Sequence, residues 1–310
     1  MFYPFLCLLT IVFSVPSFAQ DNHVWPVKVQ KEYSKTYPVG TELVALMNRY
    51  GKMTIETWDK NEVKVDAVIS IGGQTNESAN RLLERISIKD EKKSDAIEFK
   101  TEFGDKSFNW PDDNTGGHEM RIDWVVRIPA NVKLYAENNF GPLTIGDYKG
   151  EAELVCKYGT LTAGKLSNCK SVRVDFGKAV IESLTDSKIN FRYSRIDIAK
   201  LSGTITGELQ FCNSTDLPVD NSLKKLELKN NYSSLYLITS KDFSANYDIT
   251  TNNARATGKG DIVLKEEVKE PANGVRYVSY SPNKHYTGSI GKGAGTEIVI
   301  KSNFGNIRFL

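Results

Sequence analysis

The chain has 310 residues, with 40 basic against 38 acidic side chains and a formal net charge of +2. A balance this near neutral leaves no electrostatic footprint for nucleic acid. Only the N-terminal residues are apolar enough to suggest a membrane signal, so an export or anchoring segment is sought there.

Residues 1–19, MFYPFLCLLTIVFSVPSFA, carry no charge and end on Ser17, Phe18 and Ala19, which matches a secretory signal peptide cleaved after Ala19. Two features depart from the usual pattern: the missing Lys or Arg at the start, and Pro4 and Pro16 within the run. The run is shorter than the ~20 apolar residues of a spanning helix. Cys7 stands inside it rather than at its end, against a lipid anchor. The expectation is an exported chain with no transmembrane segment after cleavage. The periplasm is preferred over the cell surface or the medium, because Asn306 to Leu310 complete a repeat strand rather than a sorting signal.

Export would place Cys156, Cys169 and Cys212 where disulfides persist. Three cysteines cannot all pair within one chain, and none has zinc-site spacing, so they read as buried small apolar side chains with at most one disulfide.

From residue 20 to 130 the pattern is irregular. Lys52 to Ile71 reads as two strands around the turn-like cluster Asp59, Lys60 and Asn61, with further strands at Ala96–Thr101 and Ile122–Ile128. Ala79, Leu82, Leu83 and Ile86 fall on one helical face, which predicts a helix over Glu77–Arg85 capped by Thr75 or Asn76. This segment is expected to cap the unit that follows.

Residues 131–310 carry a repeat, continuous with what precedes it. An aromatic residue is followed by a small one, with apolar residues three and five places after the aromatic. One instance, Tyr50-Gly51, lies ahead of that region; the others are Phe140-Gly141, Tyr158-Gly159, Phe176-Gly177, Tyr193-Ser194, Tyr232-Ser233 and Phe304-Gly305. Phe211-Cys212 stands where another is due, but with Ser214 and Asp216 at the apolar places. From Phe140 the steps are 18, 18, 17, 18 and 21 residues. Before each aromatic, alternate residues are apolar, as in a half-buried strand; after the small residue the parity shifts by one. The pair is therefore a bulge or corner, with glycine suited to a positive φ or a close backbone approach. Eighteen residues give a path of roughly 60 Å, the perimeter of a small coil filled by side chains. An antiparallel sandwich would have no reason to hold such a period. Equivalent aromatics should stack in a ladder and belong mainly to the core. Asn48, Asn138 and Asn230, on the inward parity, should be satisfied by one another or by turn backbone.

NRYGKMTIETWDKNEVKVDAVI at 48–69, VRIPANVKLYAENNFGPLTIGDYKG at 126–150 and the following KYGTLTAGKL resemble the DUF4097 family of adhesin-type domains of Bacteroidetes-type cell envelopes. The resemblance covers nearly the whole chain after residue 19. It implies an all-β solenoid, an exported location and a role named by analogy with adhesins, and it supplies no catalytic or binding residues. Together these readings predict an all-β, right-handed β-solenoid (β-helix) of ~18-residue coils with an N-terminal capping region containing one short helix.

Little in the sequence points to chemistry. The polar loop Asp112 to Glu119 contains Asp112, Asp113, His118 and Glu119, but its His and Glu are adjacent and the calcium-loop spacing is absent, so it reads as a solvated connection. No metal or cofactor is expected. His23 and His285 lack a neighbouring nucleophile and read as surface residues. Asp175, Glu182 and Asp197 lie on the outward parity, where a sugar groove would need carboxylates, yet Lys157, Arg173, Lys178 and Arg192 share that parity, as on a mixed-charge surface. Trp110 and Tyr280, if exposed, would be candidates for carbohydrate contact. The function expected is non-enzymatic binding or scaffolding in the envelope, with an envelope protein or polysaccharide as partner and no nucleic acid. The alternative is a carbohydrate-active enzyme, a lyase or glycoside hydrolase, on the same scaffold.

Overall fold

The computed structural model describes residues 24–104, 117–260, 262–267, 282–293 and 295–310. The expected signal peptide, His23, Trp110, Tyr280, Asp112 and Asp113 lie outside them. The fold is all-β: apart from one helix, the regular elements described are 21 strands joined in a single sheet.

Three of the N-terminal strands, Val27–Pro38, Glu62–Gly73 and Glu119–Pro129, pair antiparallel, with Tyr33 opposite Ala67 and Ala67 opposite Trp124. The helix spans Asn76–Glu84, where the Thr75 side chain accepts from the Ser78 N–H and Ala79, Leu82 and Leu83 are buried. Ile86, expected on the helical face, instead opens the strand Ile86–Lys92 and is buried there.

From Lys133 onward the pairing is parallel over long stretches. Ala136 lies opposite Leu154, Leu154 opposite Val172 and Val172 opposite Ile189, offsets of 18, 18 and 17 residues. Parallel neighbours cannot be joined by a tight hairpin. Between Ala152–Lys157 and Cys169–Asp175 the chain runs through Thr160–Leu166, which pairs in parallel with Leu143–Ile145 and Lys178–Arg192 in turn. Inward residues from both ladders, among them Leu154, Val172, Phe191, Leu161 and Ile181, share one buried core.

Two connections join segments distant in sequence. Leu43–Arg49 lies between Ala96–Phe103 and Lys133–Asn139, so Tyr50 becomes the spatial neighbour of Phe140. Near the other end, Thr296–Asn303 is inserted between Leu223–Thr239 and Ala245–Asn252, and Ile307–Phe309 between Leu235–Leu237 and Ala256–Thr257.

Of the two roles expected of the corner glycine, the close backbone approach is the one observed, and the positive φ falls on the residue before it. The aromatic residue takes the left-handed conformation: Tyr50, Phe140, Tyr158, Phe176, Tyr193, Phe211, Tyr232 and Phe304 all have φ between 50° and 61°. The glycines that follow have ordinary φ and are required by space. A Cβ on Gly141 would stand 2.0 Å from the Gly51 carbonyl oxygen, and one on Gly159 would stand 2.0 Å from that of Gly141. Where serine replaces glycine, its hydroxyl serves backbone groups: Ser194 Oγ donates to the Arg192 carbonyl at 2.7 Å, and Ser233 Oγ accepts from the Cys212 N–H at 2.9 Å.

The repeat at Phe211 is complete, contrary to the sequence reading. Asn213 is also left-handed, with φ 49°, and this second twist shifts the inward places by one, to Thr215 and Leu217, leaving Ser214 and Asp216 exposed. Buried amides close the inner side of the corners. Asn48 Nδ2 donates to the Ile122 carbonyl at 2.9 Å, Asn138 to those of Gly51 and Pro142, and Asn230 to that of Ser233.

Replacing Gly159 by Ala drives a methyl into the neighbouring backbone, and overpacking of this kind costs about 1–3 kcal/mol. Gly146 has nothing within 4 Å of a Cβ position. Urea denaturation is expected to show the loss for Gly159→Ala and little change for Gly146→Ala.

Candidate functional site: an outward aromatic ridge

A left-handed residue at the corner directs its side chain away from the inward row. The expectation that these aromatics belong to the core is therefore corrected: seven of the eight are 40 to 53% exposed. Tyr50 is half-buried because Phe103 sits edge-on against it at 5.8 Å. The order in space is Tyr50, Phe140, Tyr158, Phe176, Tyr193, Phe211, Tyr232, Phe304, with centroids 4.7 to 5.0 Å apart and planes within 8° of parallel. Strand spacing sets that interval. A left-handed non-glycine residue costs on the order of 1–3 kcal/mol, and each stacked pair returns about 0.5–1.5 kcal/mol beyond area burial. Stacking is thus of the right size to offset much of the strain. The result is a continuous ridge of ring edges, roughly 34 Å long at the strand spacing.

Ion pairs brace the sheet beside the ridge. Glu137 accepts from Tyr135 Oη at 2.6 Å, Asn139 Nδ2 at 2.9 Å and Lys157 Nζ at 2.8 Å. Burial raises its carboxyl, but Lys157 and the hydrogen bonds outweigh this and hold it at about 2. Asp175 is only 2% exposed. Arg192 grips it through Nε and a terminal nitrogen, both at 2.8 Å, and Arg173 Nε donates at 2.8 Å. Asp175 is therefore removed from any groove chemistry. Glu182 pairs with Lys165 at 3.3 Å, and Asp197 lies 3.9 Å from Lys178.

A groove of about 980 Å³ opens against the rings of Tyr193 and Phe211 and is lined by Arg195, Asp197, Asp216 and Ile238, among others. Its origin is a break in pairing: Arg195–Ile198 meets Leu201–Val219 only at Asp197 opposite Asp216. The left-handed Asn213 stops the ladder on one side. On the other stands Pro218, two residues after Asp216 on the same edge, with no N–H to donate. Alternation counted from Phe211 puts Asp216 on an inward place and so overlooks it; an asparagine at 213, tolerant of left-handed backbone, is the signal that could have found the extra twist.

The remaining expected residues do not converge. His118 is half-buried beside Gly73 and Glu119 is exposed, and no group able to hold a metal occurs among the described residues. Cys156, Cys169 and Cys212 are free and buried, and burial pushes the Cys156 and Cys169 thiols up to about 12. His285 is not an isolated surface residue: its ring lies 2.9 Å from Asp248 and 2.8 Å from Glu267, and hydrogen bonds to Asp248 and then Glu267 raise its pKa. No helix among the described residues is long and apolar enough to cross a membrane.

No protein-family model matches the chain, and no curated protein matches it. Solved structures do. A "putative adhesin" from Bacteroides fragilis is 12% identical, covering 90% of this chain and 97% of its own, with a TM-score of 0.39. A "putative cell adhesion protein" from Clostridium sporogenes is 13% identical, covering 91% and 99%, with a TM-score of 0.22. A "putative lipid binding protein" from Parabacteroides distasonis is 9% identical, covering 90% and 96%, with a TM-score of 0.32. At such identities and scores, the functional reading rests on this chain's own surface.

Burial raises the Asp175 carboxyl, but Arg192 and Arg173 outweigh it and hold the group below the ordinary carboxylate range. Its stabilisation is therefore complete above the unfolded value, about 3.9, and is lost as pH falls through the folded value. Asp175→Asn is expected to lose about 1–3 kcal/mol at pH 7. Its stability, followed by urea titration at successive pH values, should fall less than the parent's below about pH 4.

Proposed function

We propose that this chain is an exported, non-enzymatic right-handed β-solenoid with ~18-residue coils, which residues 20–130 cap, and that it acts as an adhesin-like binding or scaffolding protein of the cell envelope, in the periplasm. Parallel offsets of 17 and 18 residues and the closely stacked corners support the coil reading. The observation that carries the functional reading is the ridge: seven consecutive exposed rings held at the cost of left-handed backbone. Contiguous exposed apolar surface on this scale marks an interaction site.

The rival, a carbohydrate-active enzyme, draws support from Asp197 and Asp216, carboxylates on adjacent strands in one groove. An acid and a base acting across a sugar would need such a pair.

Both readings meet in one experiment. Thr160 stands two residues beyond Tyr158 on the ridge flank, and the thiols of Cys156, Cys169 and Cys212 are buried and difficult to ionise. Thr160→Cys therefore allows a polyethylene-glycol maleimide to be placed beside the rings. Saturable cosedimentation of the unlabelled protein with isolated envelopes is expected, together with its loss on labelling. Binding that survives labelling would remove the ridge from the function. Release of reducing sugar or unsaturated product from envelope polysaccharide, abolished by Asp216→Asn, would put the enzyme reading first.

A further inference from the structure

The chemistry of the ridge narrows its ligand. Because the rings stack, their faces are occupied and their edges point outward, with hydroxyls at Tyr50, Tyr158, Tyr193 and Tyr232. A ring edge is the positive end of the aromatic quadrupole. It favours oxygen lone pairs over cations, and from Phe140 to Tyr232 each ring has a ring on both faces, leaving no face there on which a nucleobase could stack.

The residues flanking each ring add charge complementarity. From Tyr50 to Tyr193 six of the ten positions one before and two after the rings are basic, Arg49, Lys52, Lys157, Lys178, Arg192 and Arg195. Their only carboxylate is Asp175, already gripped by Arg192 and Arg173. Lys157 and Lys178 have acidic neighbours in Glu137 and Asp197, whereas Arg49, Lys52 and Arg195 have no ion pair among the described residues. From Phe211 to Phe304 the same positions hold Gln210, Asn213, Asn231, Ser234, Asn303 and Asn306, all uncharged hydrogen-bonding groups. Tyrosine alternates with phenylalanine along the whole ridge, so hydroxyls recur every second strand, about 9.6 Å. That is close to the length of a disaccharide in an extended β-linked glycan.

We propose that the ridge binds an extended anionic polysaccharide lying along the direction in which the strands stack. Its carboxylate or phosphate groups meet Arg49, Lys52 and Arg195, and its hydroxyls meet the tyrosine hydroxyls and the amide row. Asp197 and Asp216 in the groove accept hydrogen bonds from sugar hydroxyls. The proposal rests on the envelope-binding reading and names the ligand class for its ridge.

Titration calorimetry of the purified protein tests it, with polymannuronate, a β-linked polyuronate, as the carboxylate probe, a phosphodiester-linked mannan as the phosphate probe, and dextran and single-stranded DNA as controls. Binding to one or both anionic polymers is expected, weakening as salt rises. The triple variant Arg49→Ala, Lys52→Ala, Arg195→Ala should lose about tenfold in affinity. A variant with Ala at Lys89, Lys149 and Lys241 loses the same charge elsewhere and should bind as the parent does. Tyr158→Phe with Tyr193→Phe keeps the stack and should weaken binding severalfold without changing the melting temperature. Equal binding of dextran overturns the charge assignment; equal binding of DNA, or equal losses in the two triple variants, reduces the effect to bulk electrostatics and overturns the site. If neither polymer binds while envelope cosedimentation persists, this inference fails and the envelope reading stands. If both fail, so does the envelope reading.

Discussion

Backbone approach at the corner governs the rest of the structure. Strands stacked at the sheet spacing bring one corner's carbonyl within about 2 Å of where the next corner's Cβ would be, as at Gly51, Gly141 and Gly159. The small residue is therefore fixed by its neighbour rather than by its own torsion angles. The preceding aromatic takes the left-handed twist that turns the chain. Each such ring lands one strand spacing from the next, and the stack helps to offset the strain that created it. One steric constraint thus accounts for the glycine column, the ring column and the shift of inward parity between them.

Polar groups on the two sides of the sheet do different work. Inside, Asn48, Asn138 and Asn230 donate to backbone carbonyls at the corners, Asn138 sharing that of Pro142 with the Met53 N–H. Outside, Glu137 and Asp175 collect lysine and arginine from adjacent strands and lock the surface beside the rings. The groove near Tyr193 arises from a local failure of the same regularity. One additional left-handed residue and one proline suffice to separate strands that would otherwise pair.

Period, strand alternation and the parity shift at the corner are legible in the sequence because each follows from the two-residue pleat. The direction of the rings is not, since an aromatic at a fixed period reads equally well as a core ladder or a surface ladder; the left-handed φ of Tyr158 and its equivalents decides between them. Phe211 looks broken when parity is counted from the aromatic, because Asn213 adds a twist that no spacing rule anticipates. Asp175, placed on an outward row by alternation, is covered by two guanidinium groups that pack over it, a matter of side-chain reach rather than strand position. Nor does periodicity reveal that Tyr50 neighbours Phe140 across an intervening segment of 89 residues.

The insertion of Thr296–Asn303 between Leu223–Thr239 and Ala245–Asn252 bears on how the protein is made. A chain emerging N-terminus first can stack its earlier strands as they appear, but these two must await a partner made well after both of them. The sheet cannot close at this point until Thr296–Asn303 has emerged. Nascent chains stalled before Thr296 would carry an open seam with two unsatisfied edges, the kind of defect by which proteolytic surveillance distinguishes an incomplete product from a finished one.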